Sequence, residues 1–265
     1  MKIAKVIFRL LPNENPYLIL FSERYLDRAL GDNNCNPEEN GEELILRAIL
    51  PSLKSGVVFD VGSNVGDWTA FALSVEGSIK VELFEPSLKA YKLSKIKLKN
   101  KQIKINNFGL GSEEGLSSLH MVSPESGMNS LYFRRGIEGV NFAMTETVKI
   151  STMDNYCLAN SISQVDYLKI DVEGHELSVL KGAKSLLNNK SIKFIQYEYG
   201  GCNLDAKTYF WDIWDILTTN GYKIYKIFPR GLKIVKNYNH KLENFKYSNY
   251  LAVLNESSIK NLTIS

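Results

Sequence analysis

The stretch from Val57 to Thr69 constrains the fold most strongly, because it joins an apolar run to a glycine-punctuated turn and a helical pattern. It predicts a buried parallel strand, a tight loop and the start of a helix. Gly62 lets the chain turn sharply, and Gly66 lets the first helical turn lie close to the strand or to a ligand. Asp60 can accept hydrogen bonds from a ligand ammonium group. The stretch is typical of a nucleotide-binding loop, although its glycines alone also fit an ordinary strand-turn-helix unit.

A second acid follows twenty-five positions after Asp60, where the apolar run Ile79 to Phe84 ends in Glu85 and Pro86. An acid at the end of the second strand of a βαβ unit can accept hydrogen bonds from both hydroxyls of a ribose. The two acids together are a more specific signal than either one alone.

A third group of polar residues crowds the end of the later apolar strand Val165 to Asp171. The group consists of Asp171, Glu173, His175 and Glu176. A helix N-terminus favours acids through its dipole, which explains Glu173 and Glu176 but not Asp171. Ligands of open α/β sheets bind where the strand order reverses, so we expect Asp60 and Asp171 to face one crevice. His175 also fits a helix-packing histidine.

The segments FDVGSNVG, LFEP and YLKIDVEGHE resemble the successive signatures of FkbM-type S-adenosylmethionine-dependent methyltransferases, and the resemblance covers roughly residues 40 to 255. It implies a Rossmann-like class I methyltransferase fold. That α/β fold has a seven-stranded, mostly parallel sheet with one antiparallel edge strand, here preceded by N-terminal helices. It also implies S-adenosylmethionine as cofactor and O-methylation of a sugar, glycan or other natural product.

The resemblance and the strand-end positions together give a set of candidate cofactor contacts. These are Asp60, Gly62, Asn64, Gly66, Glu85, Pro86, Gly109, Leu110 and Asp171. In methyltransferases of this kind the loop after the third strand borders the adenine, so Phe108 to Leu110 are candidates for that wall. Phe108 to Leu110 also fit an ordinary buried strand end.

Methyl transfer from a sulfonium is an in-line displacement, in which a base takes the proton of the attacking group. His175 suits that base by its ordinary pKa. Asp171 and Glu173 complete the predicted catalytic edge, and Glu198, at the end of the next strand, could orient the acceptor. The acids could also hold a divalent metal ion, which we do not favour.

The span from Ser126 to Gly139 is rich in Gly and Ser and lacks periodicity. A loop of this length is not needed to hold a sheet together. We therefore expect a mobile loop that shapes the acceptor pocket, with Arg134 and Arg135 contacting the substrate.

The length of 265 residues and the 44% hydrophobic content suit one α/β domain with a substantial core. We predict an N-terminal helical extension (1–40), the methyltransferase domain (41–255) and a C-terminal tail (256–265).

The 32 basic and 29 acidic residues are spread along the chain, apart from a lysine cluster between Lys89 and Lys104. That cluster fits a solvated helix face better than a phosphate-rich partner, so we predict no nucleic-acid partner. The three cysteines form no CxxC pair, which fits a reducing, cytoplasmic location.

The N-terminal region contains two amphipathic segments, Ile3 to Leu11 and Tyr17 to Leu30, and neither is typical of a signal peptide or a membrane span. We expect them to cover one end of the catalytic domain. A membrane-surface contact and a homodimer contact are the alternatives.

Two other functions remain open from the sequence. A nicotinamide-dependent oxidoreductase also places an acid after a glycine loop, but it expects G-x-G-x-x-G, which the stretch after Asp60 lacks. A non-catalytic binding module would not need Asp60, Glu85 and Asp171 together.

Overall fold

The computed structural model describes residues 13–99, 102–135 and 137–264. The strands are β1 (Val57–Val61), β2 (Lys80–Phe84), β3 (Ile103–Asn106), β4 (Gly109–Leu110), β5 (Gly115–Met121), β6 (Met144–Ser151), β7 (Val165–Ile170), β8 (Ile192–Tyr199), β9 (Lys223–Phe228), β10 (Gly231–Ile234) and β11 (Ser248–Val253). The α-helices are α1 (Pro16–Leu30), α2 (Pro37–Asn40), α3 (Glu42–Ile49), α4 (Asp67–Val75), α5 (Leu88–Lys97), α6 (Met153–Ala159), α7 (Glu176–Lys181), α8 (Lys184–Asn188), α9 (Gly201–Asp205) and α10 (Phe210–Thr219).

The central sheet has the strand order β10-β9-β11-β8-β7-β1-β2-β3. Strands β1, β2, β3, β7 and β8 run parallel, so their carboxyl ends share one edge of the sheet. The strand order reverses between β1 and β7, and this reversal creates the crevice in which α/β proteins of this type bind ligands. The predicted Rossmann-like α/β fold is confirmed.

Two details of the sheet differ from the prediction. The central sheet has eight strands rather than seven, and the antiparallel strand β11 lies between β8 and β9 instead of at an edge. All six residues of β11 are buried, so this strand needs neighbours on both sides. The antiparallel edge strand is β10, which pairs with β9.

The segment from Ile103 to Leu110 is divided between two sheets in the structure. Its first half is β3 of the central sheet, whereas β4 belongs to a second sheet with the order β4-β6-β5. Strands β5 and β6 pair antiparallel, with Gly115 opposite Ile150. Leu110 of β4 and Leu119 of β5 line one of the cavities described below.

Helix α1 does not cover the catalytic domain as expected, because none of its residues is buried. The segment Ile3 to Leu11 lies outside the described residues, and the predicted domain limits stay a prediction. In the part of the chain that the structure describes, no helix combines the length and apolar character needed to cross a membrane.

Candidate functional site

The loop between β1 and α4 depends on two glycines with positive φ. Gly62 has a φ of 83°, and a Cβ there would lie 1.8 Å from the backbone oxygen of Asp171. Only glycine therefore allows the β1 loop to approach the end of β7 this closely. A Cβ on Gly66 would lie 2.5 Å from Cδ1 of Leu98. The close approach of Gly66 is thus to the segment after α5, not to the strand.

Glu85 is buried at the end of β2 and binds the β1 loop. The backbone N–H of Asn64 donates to Oε2 at 2.8 Å, and that of Ser87 donates to Oε1 at 2.7 Å. Burial raises the pKa of Glu85 to about 7. Each carboxylate oxygen has a second lone pair, so Glu85 can still accept hydrogen bonds from a ligand hydroxyl.

Asp60 does not face the crevice as predicted. Its side chain lies beneath the loop, where Oδ2 accepts a 2.6 Å hydrogen bond from Thr69 of α4, and it is fully buried. Burial raises the pKa of Asp60. The other oxygen, Oδ1, has no hydrogen-bond partner among the described residues. Asp60 therefore joins β1 to α4 instead of lining a cavity.

Two cavities meet at the carboxyl ends of β1 and β7. The narrow cavity has a volume of about 60 Å³, and the wide cavity has a volume of about 410 Å³. Together they fall within the range of roughly 300–1,000 Å³ that is typical of small-molecule sites. They share Gly62, Asn64, Gly127 and Asp171 as common walls. The two cavities therefore form one continuous cleft with Asp171 at the junction.

The narrow cavity collects most of the predicted cofactor residues. Glu85 and Pro86 form one wall, and Gly109 and Leu110 form another. The loop after β5 contributes Ser126, Gly127, Asn129 and Leu131. Phe108 does not line the cavity but packs on the hydrophobic core. The loop predicted to shape the acceptor pocket therefore lies mainly over the predicted cofactor pocket.

The wide cavity contains a buried cation among several carboxylates. Nζ of Lys169 donates to Oδ2 of Asp171 at 2.8 Å. Burial opposes the charge of Lys169, but the surrounding carboxylates outweigh it and raise the pKa of Lys169. Burial and the charge of Asp171 raise the pKa of Glu198, whose Oε1 accepts a 2.7 Å hydrogen bond from the hydroxyl of Tyr247. Glu42, also buried, completes this acidic wall.

His175 lines the narrow cavity but not the wide one. Its Nδ1 lies 2.9 Å from the hydroxyl of Tyr132, and burial lowers the pKa of His175 to about 4. Gly111 leaves room for the imidazole, because a Cβ at that position would lie only 2.8 Å from Nε2 of His175. His175 is therefore separated from the acidic wall of the wide cavity, whereas Asp171 contacts both cavities.

Two glutamates beside His175 have different surroundings. Glu173 lines the narrow cavity and forms an ion pair with Arg134, in which Oε2 of Glu173 lies 2.5 Å from Nη1 of Arg134. Burial and the charge of Asp171 raise the pKa of Glu173 to about 8. Glu176 is fully buried, and its carboxylate accepts from the backbone N–H of Gly174 at 3.0 Å and from Nδ2 of Asn203 at 2.9 Å. Glu176 therefore stabilises the turn that positions the other two residues.

The two arginines predicted to contact the acceptor lie outside both cavity walls. Arg134 is half-buried and reaches the site through Glu173. Arg135 is exposed, and its backbone N–H donates to Oδ1 of Asp205 at 3.2 Å. The adjacent arginines therefore have different positions relative to the site.

Several cavity residues were not identified from the sequence. They are Lys169, Glu42, Trp68, Tyr247 and Ser63. Lys169 interrupts the buried strand β7, and a cation within an apolar run was a detectable signal. Tyr247 immediately precedes β11, far along the chain from the other cavity residues, and no local pattern indicated it.

Three buried polar atoms around the β1 loop have no hydrogen-bond partner among the described residues. They are Oγ of Ser63, Oδ1 of Asn64 and Nε1 of Trp68. Buried polar groups are normally paired, so unpaired ones at a cavity indicate polar contacts to a ligand. Within residues 13–99, 102–135 and 137–264, no group of three or more His, Cys, Asp or Glu side chains could hold a metal ion.

Comparison with known proteins identifies a family. Residues 60–224 match the methyltransferase FkbM domain. The chain is also similar to the hexuronic acid methyltransferase AglP of Haloferax volcanii, with 27% identity over 163 residues. That match covers 60% of this chain and 64% of the relative. The chain thus spans slightly less than two thirds of the length of this relative.

Solved structures of methyltransferases also resemble this chain. The precorrin-6y C5,15-methyltransferase of Geobacter metallireducens shares 10% identity, with a TM-score of 0.41 over 80% of this chain and 86% of that chain. A SAM-dependent methyltransferase of Aquifex aeolicus shares 11% identity, with a TM-score of 0.42 over 83% of this chain and 94% of that chain.

Proposed function

The chain belongs to the FkbM methyltransferase family, and from this premise we propose that it is an S-adenosylmethionine-dependent O-methyltransferase acting on a hydroxyl group of a sugar or glycan. The observation that carries this proposal is the cleft in which a narrow and a wide cavity meet at Asp171. The lining of the narrow cavity suits contacts to a nucleoside, and the lining of the wide cavity suits an acceptor with several hydroxyl groups.

The residues of the narrow cavity fit the cofactor. Glu85 would accept hydrogen bonds from the ribose hydroxyls, and Gly109 with Leu110 would contact the adenine. Ser63 and Trp68 line the adjoining wide cavity, and their unpaired donors suit the carboxylate of the methionine part. Gly62 allows the backbone to approach closely between these groups.

The cofactor supplies an electrophilic methyl group on a sulfonium. An acceptor oxygen would take this methyl in line as the methyl carbon–sulfur bond breaks and a neutral thioether leaves, and the acceptor proton would pass to a base on the protein. The contribution of the protein is to align the acceptor at the junction of the cavities, which can be worth about 7 kcal/mol or more. Asp171 is placed to orient the acceptor hydroxyl because it lines both cavities.

We assign the proton acceptor to the carboxylates of the wide cavity. A general base must lie within reach of the acceptor hydroxyl, and burial raises the pKa of Glu198 above that of an ordinary glutamate. Lys169 holds the side chain of the neighbouring Asp171 in position through a 2.8 Å hydrogen bond to Oδ2. His175, the base predicted from the sequence, lines the narrow cavity but not the wide one, so we assign it a role beside the cofactor.

The lining of the wide cavity favours a sugar. Carboxylates such as Glu42 and Glu198 accept hydrogen bonds from hydroxyl groups, and Trp68, Phe71 and Tyr247 offer aromatic surface to the apolar face of a sugar ring. The name of the Haloferax volcanii relative, a hexuronic acid methyltransferase, supports the same class of acceptor. The cytoplasmic location predicted from the sequence remains a proposal.

Incubation with methyl-labelled S-adenosylmethionine tests this function. The acceptor panel contains neutral hexoses, hexuronic acids and hydroxylated metabolites without a sugar ring, and mass spectrometry locates the new methyl group. We expect label on a sugar hydroxyl. Transfer only to nitrogen, or only to acceptors without a sugar ring, would contradict the proposal.

Thermal melting separates the competing functions. S-adenosylmethionine should raise the melting temperature, because a ligand that binds only the folded state stabilises it, whereas NAD should not. Stabilisation by NAD alone would favour an oxidoreductase. Stabilisation by neither ligand would favour a binding module.

A further inference from the structure

Helix α1 exposes an apolar face. Its large apolar side chains have exposed fractions between 38% and 82%. They are Tyr17, Leu18, Ile19, Leu20, Phe21, Tyr25, Leu26 and Leu30. At 3.6 residues per turn, six of them, all except Tyr17 and Leu20, fall on one half of the helix. The charged residues occupy the other half.

The charged side of α1 attaches the helix to the body of the protein. Asp27 is the only residue of α1 that is partly buried. Its Oδ1 contacts Nζ of Lys246 at 2.5 Å, and its Oδ2 accepts a 3.0 Å hydrogen bond from Nδ2 of Asn33. Gly31 ends the helix with a φ of 66°. A Cβ at Gly31 would lie 3.0 Å from the ring of Phe228, so the end of the helix packs on that ring. Because Asp27 lies opposite the apolar half, that half faces away from the catalytic domain.

The segments next to α1 are strongly basic. Residues 1–12 contain three basic residues and no acidic residue, and residues 223–246 contain seven basic residues and one acidic residue. The second segment contacts the helix region through Phe228 and Lys246. Its exposed side chains without an ion-pair partner among the described residues are Arg230, Lys233, Lys236 and Lys241.

We propose that α1 binds the surface of a lipid bilayer that contains anionic lipids. The aromatic and aliphatic half would lie at the boundary of head groups and acyl chains, as in other interfacial amphipathic helices. The exposed basic side chains of residues 223–246 would contact the lipid phosphates. No residue of α1 is buried, so docking would require no rearrangement of the described fold.

A second copy of the chain fits this face less well. A helix of 15 residues is about 22 Å long, and its apolar half offers a few hundred Å², compared with about 800 Å² per partner in a stable dimer. A two-fold interface would also bring each basic segment close to its own copy, and like charges would repel. A bilayer with anionic head groups avoids both difficulties.

Co-sedimentation of the full-length protein with vesicles tests the proposal. We expect binding to vesicles of phosphatidylcholine mixed with phosphatidylglycerol to be at least about tenfold stronger than to phosphatidylcholine alone, and to weaken at high salt. The double substitution Phe21→Glu with Leu26→Glu should abolish it. Leu158→Glu is the matched control, because Leu158 is 82% exposed on α6 and should leave binding unchanged.

Three results would overturn the proposal. Equal binding to neutral and anionic vesicles would contradict the charge contribution, and binding that survives the double substitution would contradict the helix as the docking surface. A dimer that the same double substitution disrupts, without vesicle binding, would assign this face to a second copy. Unchanged melting temperatures of the variants would show that each result reports on the surface rather than on folding.

Discussion

The backbone N–H of Asn64 donates a 2.8 Å hydrogen bond to Oε2 of Glu85. One carboxylate therefore shapes the loop after β1 and also lines the narrow cavity where the ribose is proposed to bind. A change at Glu85 should consequently affect the geometry of the loop as well as the contact to the ligand.

The first prediction concerns Glu85. Glu85→Gln keeps one oxygen acceptor, and we expect it to weaken S-adenosylmethionine binding by about 1–3 kcal/mol. Glu85→Ala should weaken binding further, because the N–H groups of Asn64 and Ser87 lose their acceptor. Calorimetry measures both affinities, with Glu113→Gln at an exposed position as control. Equal affinity in all four proteins would remove Glu85 from the cofactor site.

The second prediction concerns Gly62. Gly62→Ala places a Cβ 1.8 Å from the backbone oxygen of Asp171 at a positive φ, so the β1 loop and the end of β7 must separate. We expect a loss of several kcal/mol in unfolding free energy and loss of cofactor binding. Gly115→Ala is the matched control, because no atom lies within 4 Å of its added Cβ. Denaturant unfolding compares the two, and equal stability would contradict the described loop.

The third prediction separates the adjacent arginines. Arg134→Ala leaves the buried carboxylate of Glu173 without its ion pair, and we expect at least about a tenfold loss of activity. Arg135→Ala should change stability by less than about 0.5 kcal/mol and leave activity intact, because that side chain is exposed. Steady-state kinetics on the identified acceptor measures both. A larger effect at Arg135 would restore the sequence-based assignment of that residue to the acceptor.

The fourth prediction concerns the proton acceptor. Glu198→Gln and Asp171→Asn should each lower the turnover number by about two orders of magnitude and change cofactor affinity little. His175→Gln should mainly weaken cofactor binding, because His175 lines the narrow cavity but not the wide one. Single-turnover rates and calorimetry separate the two effects. If His175→Gln alone abolished turnover with intact cofactor affinity, His175 would be the base.

The fifth prediction concerns stability and pH. Burial raises the pKa of Glu173 to about 8 and those of Glu85 and Glu176 to about 7 in the folded protein. The folded state therefore holds more protons than the unfolded state above about pH 4.5, and the stability from these groups is lost as pH rises toward 8. Burial lowers the pKa of His175 to about 4, which opposes this trend below its unfolded pKa of about 6.5.

The informative window thus lies between about pH 6.5 and 8. We expect the melting temperature of the cofactor-free protein to fall across this window. Glu173→Gln should reduce the pH dependence of the unfolding free energy by up to about 1.4 kcal/mol per pH unit. Differential scanning calorimetry at matched ionic strength measures both proteins. A wild-type melting temperature that rises across this window would contradict the buried, protonated state of these glutamates.

Local sequence determined the fold class and the strand ends that carry the site. The apolar runs ending at Asp60, Glu85 and Asp171 gave the parallel strands, because buried strands require continuous apolar side chains and parallel strands align their carboxyl ends. The glycines at 62 and 66 gave the loop, because only glycine adopts the positive φ that such a turn needs without strain.

Tertiary structure alone decided the direction of each side chain and the partners it meets. The side chain of Asp60 lies beneath the loop and bonds to Thr69, and that of His175 lies next to Tyr132. Both directions depend on the space that residues distant in sequence leave. Glu42 and Tyr247 belong to segments far apart in the chain, and only the assembled sheet brings them together beside Lys169. Sequence periodicity specifies the buried face of an element. The charge balance within a cavity arises from packing between elements, which no local pattern encodes.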